Sequence, residues 1–344
     1  MVLTVAYRAS VGVATWRGRQ ATSPVPGSWP YGLDRLAEQL PDVRYQDVPP
    51  LSAGRARLAG LIPPRRRRPG GQGDETAIAW DELTAVDLVA NLAPDRCYAG
   101  VIWATDAVAA GQRSRQLRLM QRVLRQLDGL WVLSRPQAAA VREWLGPTCP
   151  PVHFLRFGVD PGFYASADGD RSPHVVSVGG DRDRDPETLF AALELVRQRH
   201  PDVRITVQTK TAAPAPEGVR VVDRLPHIEV AGLLRTATVA AIATRPNLHV
   251  SGMTVGLEAQ ASGVPLVVSD TPGMRDYFVP DETARLVPPR DPDAMAEQIV
   301  RLLDDRGMAA AMGAAGRRHV LAQHSIETMC AELADIVRGR GRPV

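Results

Sequence analysis

Short apolar runs alternate with longer amphipathic stretches along this chain. Residues 3–7, 130–134, 152–157, 174–178, 204–207, 219–222, 237–243, 266–268 and 284–287 are brief and rich in Val, Ile, Leu and Ala. Such runs mark strands buried on both faces, as in parallel sheets. Between them, Pro186–Arg199 and the last amphipathic stretch, about 326–338, carry helical spacing. Strand and helix in alternation predict an α/β fold built from βαβ units. Residues 100–106, Gly-Val-Ile-Trp-Ala-Thr-Asp, read as a strand ending in polar groups, so Thr105 and Asp106 fall where parallel sheets place ligands. Residues 21–32 are rich in Gly, Ser and Pro and predict a long loop before a helix over 33–40. From Arg113 to Leu127, apolar Leu117, Met120, Val123, Leu124 and Leu127 recur at helical spacing among arginines. That stretch predicts a surface helix packed on the sheet, or a face that skims a membrane.

The densest chemical signal is 249–270, which reads as loop, short helix, Gly263-Val-Pro265 turn and buried strand. Ser251 and Gly252 open the helix, the first as a capping hydroxyl and the second as a point of close backbone approach. Amides of Gly252, Met253 and Thr254 are then expected free at the loop mouth, where unpaired N–H groups and the positive dipole end suit a phosphate. Glu258 lies one turn on from Thr254, about 6 Å along the axis at about 1.5 Å per residue. That span matches the distance from a diphosphate to its ribose. A second element, Gly179-Gly180-Asp181-Arg182-Asp183-Arg184-Asp185, follows the strand at 174–178. Its glycines allow close approach and its two arginines can neutralise a leaving diphosphate.

Composition narrows the class without naming it. A chain of 344 residues with 44% hydrophobic content can bury two domain cores. No apolar run is long enough to span a bilayer, and Cys97, Cys149 and Cys330 form no paired or metal-binding spacing, so the expected location is cytoplasmic. Positive charge is concentrated before residue 160, which offers contact with an anionic acceptor or the inner membrane face. Arg65–Arg68 reads as a loop tip, and no nucleic-acid motif accompanies it. The aromatic and basic residues Trp16, Arg17, Arg19, Trp29 and Tyr31 could hold an acceptor or pack locally. His319 and His324 read as surface residues.

The segment from the strand at 237–243 through Gly263-Val-Pro265 to Thr271-Pro-Gly-Met-Arg-Asp276 resembles the donor region of GT-B glycosyltransferases related to family 4. Their pattern is Glu-Gly-Phe-Gly, four residues, then Glu-Ala-Met-Ala-Cys-Gly-x-Pro-Val-Val. Glu258 matches the second acid, while Val250 stands at the first, which in the family contacts the donor sugar. Arg184 falls at the family's lysine position; Gly180 stands where an arginine is usual, with Arg182 as its candidate replacement. Phe157-Gly-Val-Asp160 followed by an aromatic resembles the family's exit from its first domain.

The resemblance implies two Rossmann-like domains facing a cleft: an acceptor-side domain over 1–164, a nucleotide-sugar domain over 165–325, and a final helix, 326–344, packing back on the first. It implies a glycosyltransferase, retaining by family, that moves a sugar from a nucleoside diphosphate donor to a hydroxyl on a natural product or glycan. The donor is a co-substrate, and no metal or other cofactor is expected. Donor binding falls to Gly179, Gly180, Arg182, Arg184, Leu225, Ser251, Gly252, Met253, Thr254 and Glu258; the acceptor side to Thr105 and Asp106. Asp106 and Arg184 are the catalytic candidates. Three rivals stand beside this reading. The Asp181-x-Asp183-x-Asp185 carboxylates suggest a magnesium-dependent GT-A transferase, although the interleaved arginines offset their charge. Val250 at the acid position suggests a nucleotide-sugar-binding partner protein without transfer activity. An epimerase acting on the sugar nucleotide itself is the third.

Overall fold

The computed structural model describes residues 1–52, 75–92, 94–166 and 172–344. It divides into two compact units, one of 1–22, 27–156 and 326–344, the other of 23–26 and 157–325. Arg65–Arg68 lies outside the described residues, as does part of the linker expected at 165–173.

The first unit holds six parallel strands: β1 (Val2–Arg8), β2 (Val43–Val48), β3 (Glu75–Ala79), β4 (Arg96–Gly100), β5 (Gly129–Val132) and β6 (Val152–Phe154), in the order β2-β1-β3-β4-β5-β6. All neighbours pair in parallel. Apart from the edge strand β2, whose Tyr45 is exposed, most of their apolar residues are buried, each worth about 1.5–3 kcal/mol for a Val or Leu side chain. The chain leaves β1 for β2 on one side and returns to β3 on the other, so the crevice between β1 and β3 is the topological switch point.

Several sequence expectations shift here. The strand expected over 100–106 stops at Gly100, and Thr105 and Asp106 lie in the helix Ala104–Ala109. Its cause is Glu82, whose buried carboxylate accepts from the amides of Ile102, Trp103 and Ala104 at 2.9, 3.0 and 2.6 Å and so turns the chain. The stretch 21–32 is not all loop: Val13–Thr22 is a helix, and Pro30–Glu38 is a 3-10 helix kinked at Tyr31 and Gly32. The arginine-rich helix runs Arg115–Leu124, capped by Ser114, and packs Met120, Val123 and Leu124 inward against the helix Glu82–Asn91. Its apolar face is therefore covered by protein. Among the described residues no helix is long and apolar enough to cross a membrane.

The second unit holds β7 (His174–Ser177), β8 (Arg204–Gln208), β9 (Val219–Val222), β10 (Val239–Ile242), β11 (Leu266–Ser269) and β12 (Ala284–Val287). Their order is β12-β11-β10-β7-β8-β9, again all parallel. The switch point lies between β7 and β10. The segment after Arg156 is tied into this unit: Phe157 donates to the Tyr277 hydroxyl at 3.2 Å, and Val159 to the His324 carbonyl at 2.9 Å. His324 is thus a buried tether rather than a surface residue, with Nδ1 also 3.2 Å from the Phe157 carbonyl. The final helix, Ile326–Val337, belongs to the first unit, where Ile326 covers Gly32.

Candidate functional site

The loops that follow β7 and β10 meet at the second unit's switch point. Asp185 donates its amide to the Ala243 carbonyl at 3.0 Å, Arg245 to Asp183 at 2.8 Å, and Arg184 pairs as an antiparallel bridge with Thr244. These backbone bonds bring Gly179–Asp185 against Thr244–Gly252. The helix Pro186–Arg199 is closed at its start, because Asp185 accepts from the Thr188 amide at 3.3 Å and hydroxyl at 2.8 Å. The helix Met253–Ala261 is not: it begins on Gly252 at φ 91° with no side-chain cap.

Ser251 therefore does not cap this helix. Its amide donates to Asn247 Oδ1 at 2.9 Å, and its hydroxyl is buried without a hydrogen bond. The Met253 amide is not free either, since it donates to the Val250 carbonyl at 3.0 Å. Among the described residues the amides of Gly252, Thr254 and Val255 carry no protein acceptor. The displacement by one residue follows from backbone geometry: Val250 sits at φ 57° and Gly252 at φ 91°, which tightens the turn before the helix. A β-branched residue in the left-handed region costs on the order of 1–3 kcal/mol. Val250 itself is buried, so the position matched to the family's first acid offers no polar group.

Arg184 fills the space beside this mouth. Cβ atoms built on Gly179 and Gly252 would lie 2.2 Å from its Nη2 and 3.5 Å from its Nη1. Gly179, at φ 114°, therefore makes room for the guanidinium, while Gly180 is exposed with open space around it. Arg184 Nε and Thr244 Oγ1 are buried without a hydrogen bond, as is Ser251 Oγ. Burial holds the Arg184 pKa down at about 10, against the fields of Asp181 and Glu258. Arg182 is not part of this group; it is exposed, and its Nε pairs with neighbouring Asp183 at 3.1 Å.

Glu258 is buried within the helix Met253–Ala261 rather than solvated. Burial pushes its carboxyl up to about 7, opposed by the hydrogen bond from the Tyr164 hydroxyl and by Arg184. Tyr164 also meets His227 Nδ1 at 3.2 Å, and burial, then the Glu258 charge, raise its own pKa well above the ordinary value. Leu225 is half-buried two residues before His227. Thr105 is turned into the first unit's core, where its hydroxyl accepts from Gln137 Nε2 at 3.0 Å, so it is not available to an acceptor. Asp106 lies in the first turn of the Ala104–Ala109 helix, half-buried.

Sequence reasoning missed Tyr164, His227, Thr244 and the pairing of Asp181 with His249. His249 Nε2 donates to Asp181 Oδ2 at 3.1 Å and stands 3.7 Å from Asp183 Oδ2. Burial works to raise the Asp181 carboxyl, but the bonds from His249 and the Asp183 amide bring it to about 2. One ligand atom from each of Asp181, Asp183 and His249 lies within 4.8 Å of the others, a spacing that could hold a cation. No periodicity links these positions. Only the shared switch point does.

Two parallel sheets, each with its own switch point, and an uncapped helix beside Arg184 in the second are the arrangement of the GT-B fold. Residues 172–305 match the family model described as Glycosyl transferases group 1, and the chain has the GT-B fold and resembles glycosyltransferase family 4. It is 31% identical over 169 residues to a GDP-mannose-dependent monoacylated alpha-(1-6)-phosphatidylinositol monomannoside mannosyltransferase of Corynebacterium glutamicum; the match covers 45% of this chain and 44% of that enzyme. The chain thus spans less than half the length of that relative. In fold it is similar to sucrose-phosphate synthase from Thermosynechococcus elongatus, with TM-score 0.67 and 16% identity over 98% of each chain. It is similar also to Anabaena HepE in complex with UDP-glucose, with TM-score 0.68 and 12% identity over 98% of this chain and 100% of that one.

Proposed function

We propose that this chain transfers a glycosyl group from a nucleoside diphosphate sugar to a hydroxyl acceptor, with retention and without a metal ion. The observation that carries the reading is the set of unsatisfied donors around Gly252. Three backbone amides and the buried Arg184 Nε lack protein partners beside a helix start. Leaving the buried Arg184 Nε unpaired costs about 1–3 kcal/mol, which a diphosphate would recover, and the open amides face where it would sit. As the glycosidic C–O bond breaks, one further negative charge develops on the diphosphate; the amides and the guanidinium stabilise that charge more than the ground state. In this reading Glu258 accepts from the ribose hydroxyls, with Tyr164 fixing its orientation. Asp106 faces the acceptor hydroxyl. The similarity of 172–305 to Glycosyl transferases group 1 supports the donor class, and the named relative's GDP-mannose dependence suggests which donors to try first.

The reading is tested by thermal stabilisation of the purified chain with UDP, GDP, ADP and dTDP and their sugar conjugates, each with and without EDTA. One nucleotide should raise the Tm selectively, by the same amount in chelator. No shift from any nucleotide would remove the donor assignment, and a shift abolished by EDTA would return Asp181, Asp183 and His249 to consideration as metal ligands.

A further inference from the structure

The first unit's switch point carries an aromatic stack that the donor chemistry does not use. Trp80 and Asp81 directly follow β3, at the carboxyl edge of the β1–β3 crevice. The Tyr31 ring lies flat on Trp80, with centroids 4.4 Å apart and planes 16° apart, and Trp80 in turn leans on buried Trp131 at 6.4 Å. Trp80 is only 4% exposed, whereas Tyr31 is 41% exposed. One Tyr31 face is taken by Trp80, so the exposed area belongs to the outer face and edge of the ring. Its hydroxyl end is desolvated: burial, then the Asp81 charge, push its pKa to about 12, with Arg19 acting the other way. The ring thus offers its outer face to solvent, and Asp81 follows Trp80 at the same strand end.

The stack is also held in place. Tyr31 sits at φ 61° and Gly32 at φ 67°, an arrangement tyrosine adopts rarely. A Cβ on Gly32 would lie 2.5 Å from Ile326 Cδ1, so the turn is pressed under the final helix. Asp34 accepts from the amides of Ser28 and Trp29 at 3.2 and 3.3 Å and fixes the approach to the turn. Asp81 gives Oδ1 to the Thr84 amide at 2.7 Å, and its other oxygen has no partner among the described residues. Trp103, 40% exposed, follows the adjacent strand β4.

We propose that this platform binds the acceptor, and that the acceptor carries a pyranose ring. A sugar ring offers a patch of C–H bonds on one face, which stacks on an aromatic face, and hydroxyls at its rim, which suit a carboxylate oxygen. An acyl chain would leave the Asp81 carboxylate unanswered. The proposal rests on the transferase reading and names the acceptor class for it.

Saturation-transfer NMR with methyl pyranosides of glucose, mannose, galactose and N-acetylglucosamine, at about 10 mM, tests it without any donor. At least one glycoside should receive saturation through its ring C–H protons. Tyr31→Asn removes the ring but suits the positive φ, and should weaken that binding by about five- to ten-fold, while Tyr31→Phe keeps it. Nucleotide stabilisation, measured in parallel, should be the same in all three proteins. Failure of every glycoside to bind, equal binding by Tyr31→Asn, or preferential binding of phenol or octanol would overturn the proposal. An intact nucleotide shift in those cases would leave the donor reading standing.

Discussion

Glu258→Gln separates the electrostatics of the second site from its packing. In the folded chain the Glu258 carboxyl is raised from 4.5 to about 7, first by burial, with the Tyr164 hydrogen bond and Arg184 acting against it. At about 1.4 kcal/mol per unit, the shift is on the order of 3 kcal/mol. The native carboxyl holds its proton more tightly than the unfolded one. Stability is therefore full below about pH 4.5 and falls as pH climbs through 7. Glutamine has no proton to lose and should escape that fall. At about 2–4 °C per kcal/mol for a domain of this size, the variant's Tm relative to wild type should grow by roughly 5–10 °C between pH 5 and pH 8. Glu82, also raised to about 7 by burial, is present in both proteins and cancels in the difference. Differential scanning calorimetry across that window measures it directly. A Tm difference that does not change with pH would refute the raised carboxyl. Nucleotide affinity unchanged in the variant would refute the ribose assignment separately, because the glutamine amide accepts hydrogen bonds more weakly than a carboxylate.

Two further variants address the mouth of the Met253–Ala261 helix. Arg184→Gln should weaken the preferred nucleoside diphosphate by about 10- to 100-fold in titration calorimetry, the range for charge-assisted hydrogen bonds, because it removes the guanidinium whose buried Nε has no protein partner. An affinity within two-fold of wild type would show that Arg184 does not touch the ligand. Gly252→Ala places a Cβ 2.6 Å from Ile242 Cγ2 at φ 91° and should cost about 1–3 kcal/mol, seen as a Tm lower by roughly 3–10 °C together with a smaller nucleotide shift. Full stability in that variant would mean that the left-handed turn is not required.

Strands were legible where burial on both faces writes a continuous apolar run, as at Leu266–Ser269 and Val239–Ile242. Helices were legible where caps are local, as with Asp185 before Pro186–Arg199. What periodicity could not show was structure imposed from a distance. Glu82 ends β4 through three amides some 20 residues away, so 100–106 reads as one strand in sequence and folds as strand, bend and helix. The same holds at the candidate site. Gly252 and Glu258 were found because one helix spaces them, and Arg184 because it precedes a helix start. Tyr164, nearly a hundred positions before Glu258, leaves no pattern beside it. Arg182 and Arg184 are equivalent in sequence, and only the backbone bridge to Thr244 turns one inward and leaves the other outside.

The first unit also has a helix following its first strand, and its start is taken. Asp47, at the end of β2, accepts from the amides of Val13 and Ala14 at 2.9 and 3.1 Å, and a Cβ on Gly12 would lie 2.1 Å from that carboxylate. The protein thus carries its own anion where a Rossmann-like sheet would otherwise attract a phosphate. The second unit repeats the device after its own first strand, where Asp185 closes the helix Pro186–Arg199, and only the helix Met253–Ala261, after β10, is left without a side-chain cap at the switch point. If the proposed donor reading holds, equilibrium titration should saturate at one nucleoside diphosphate per chain, and two equivalent sites would refute it.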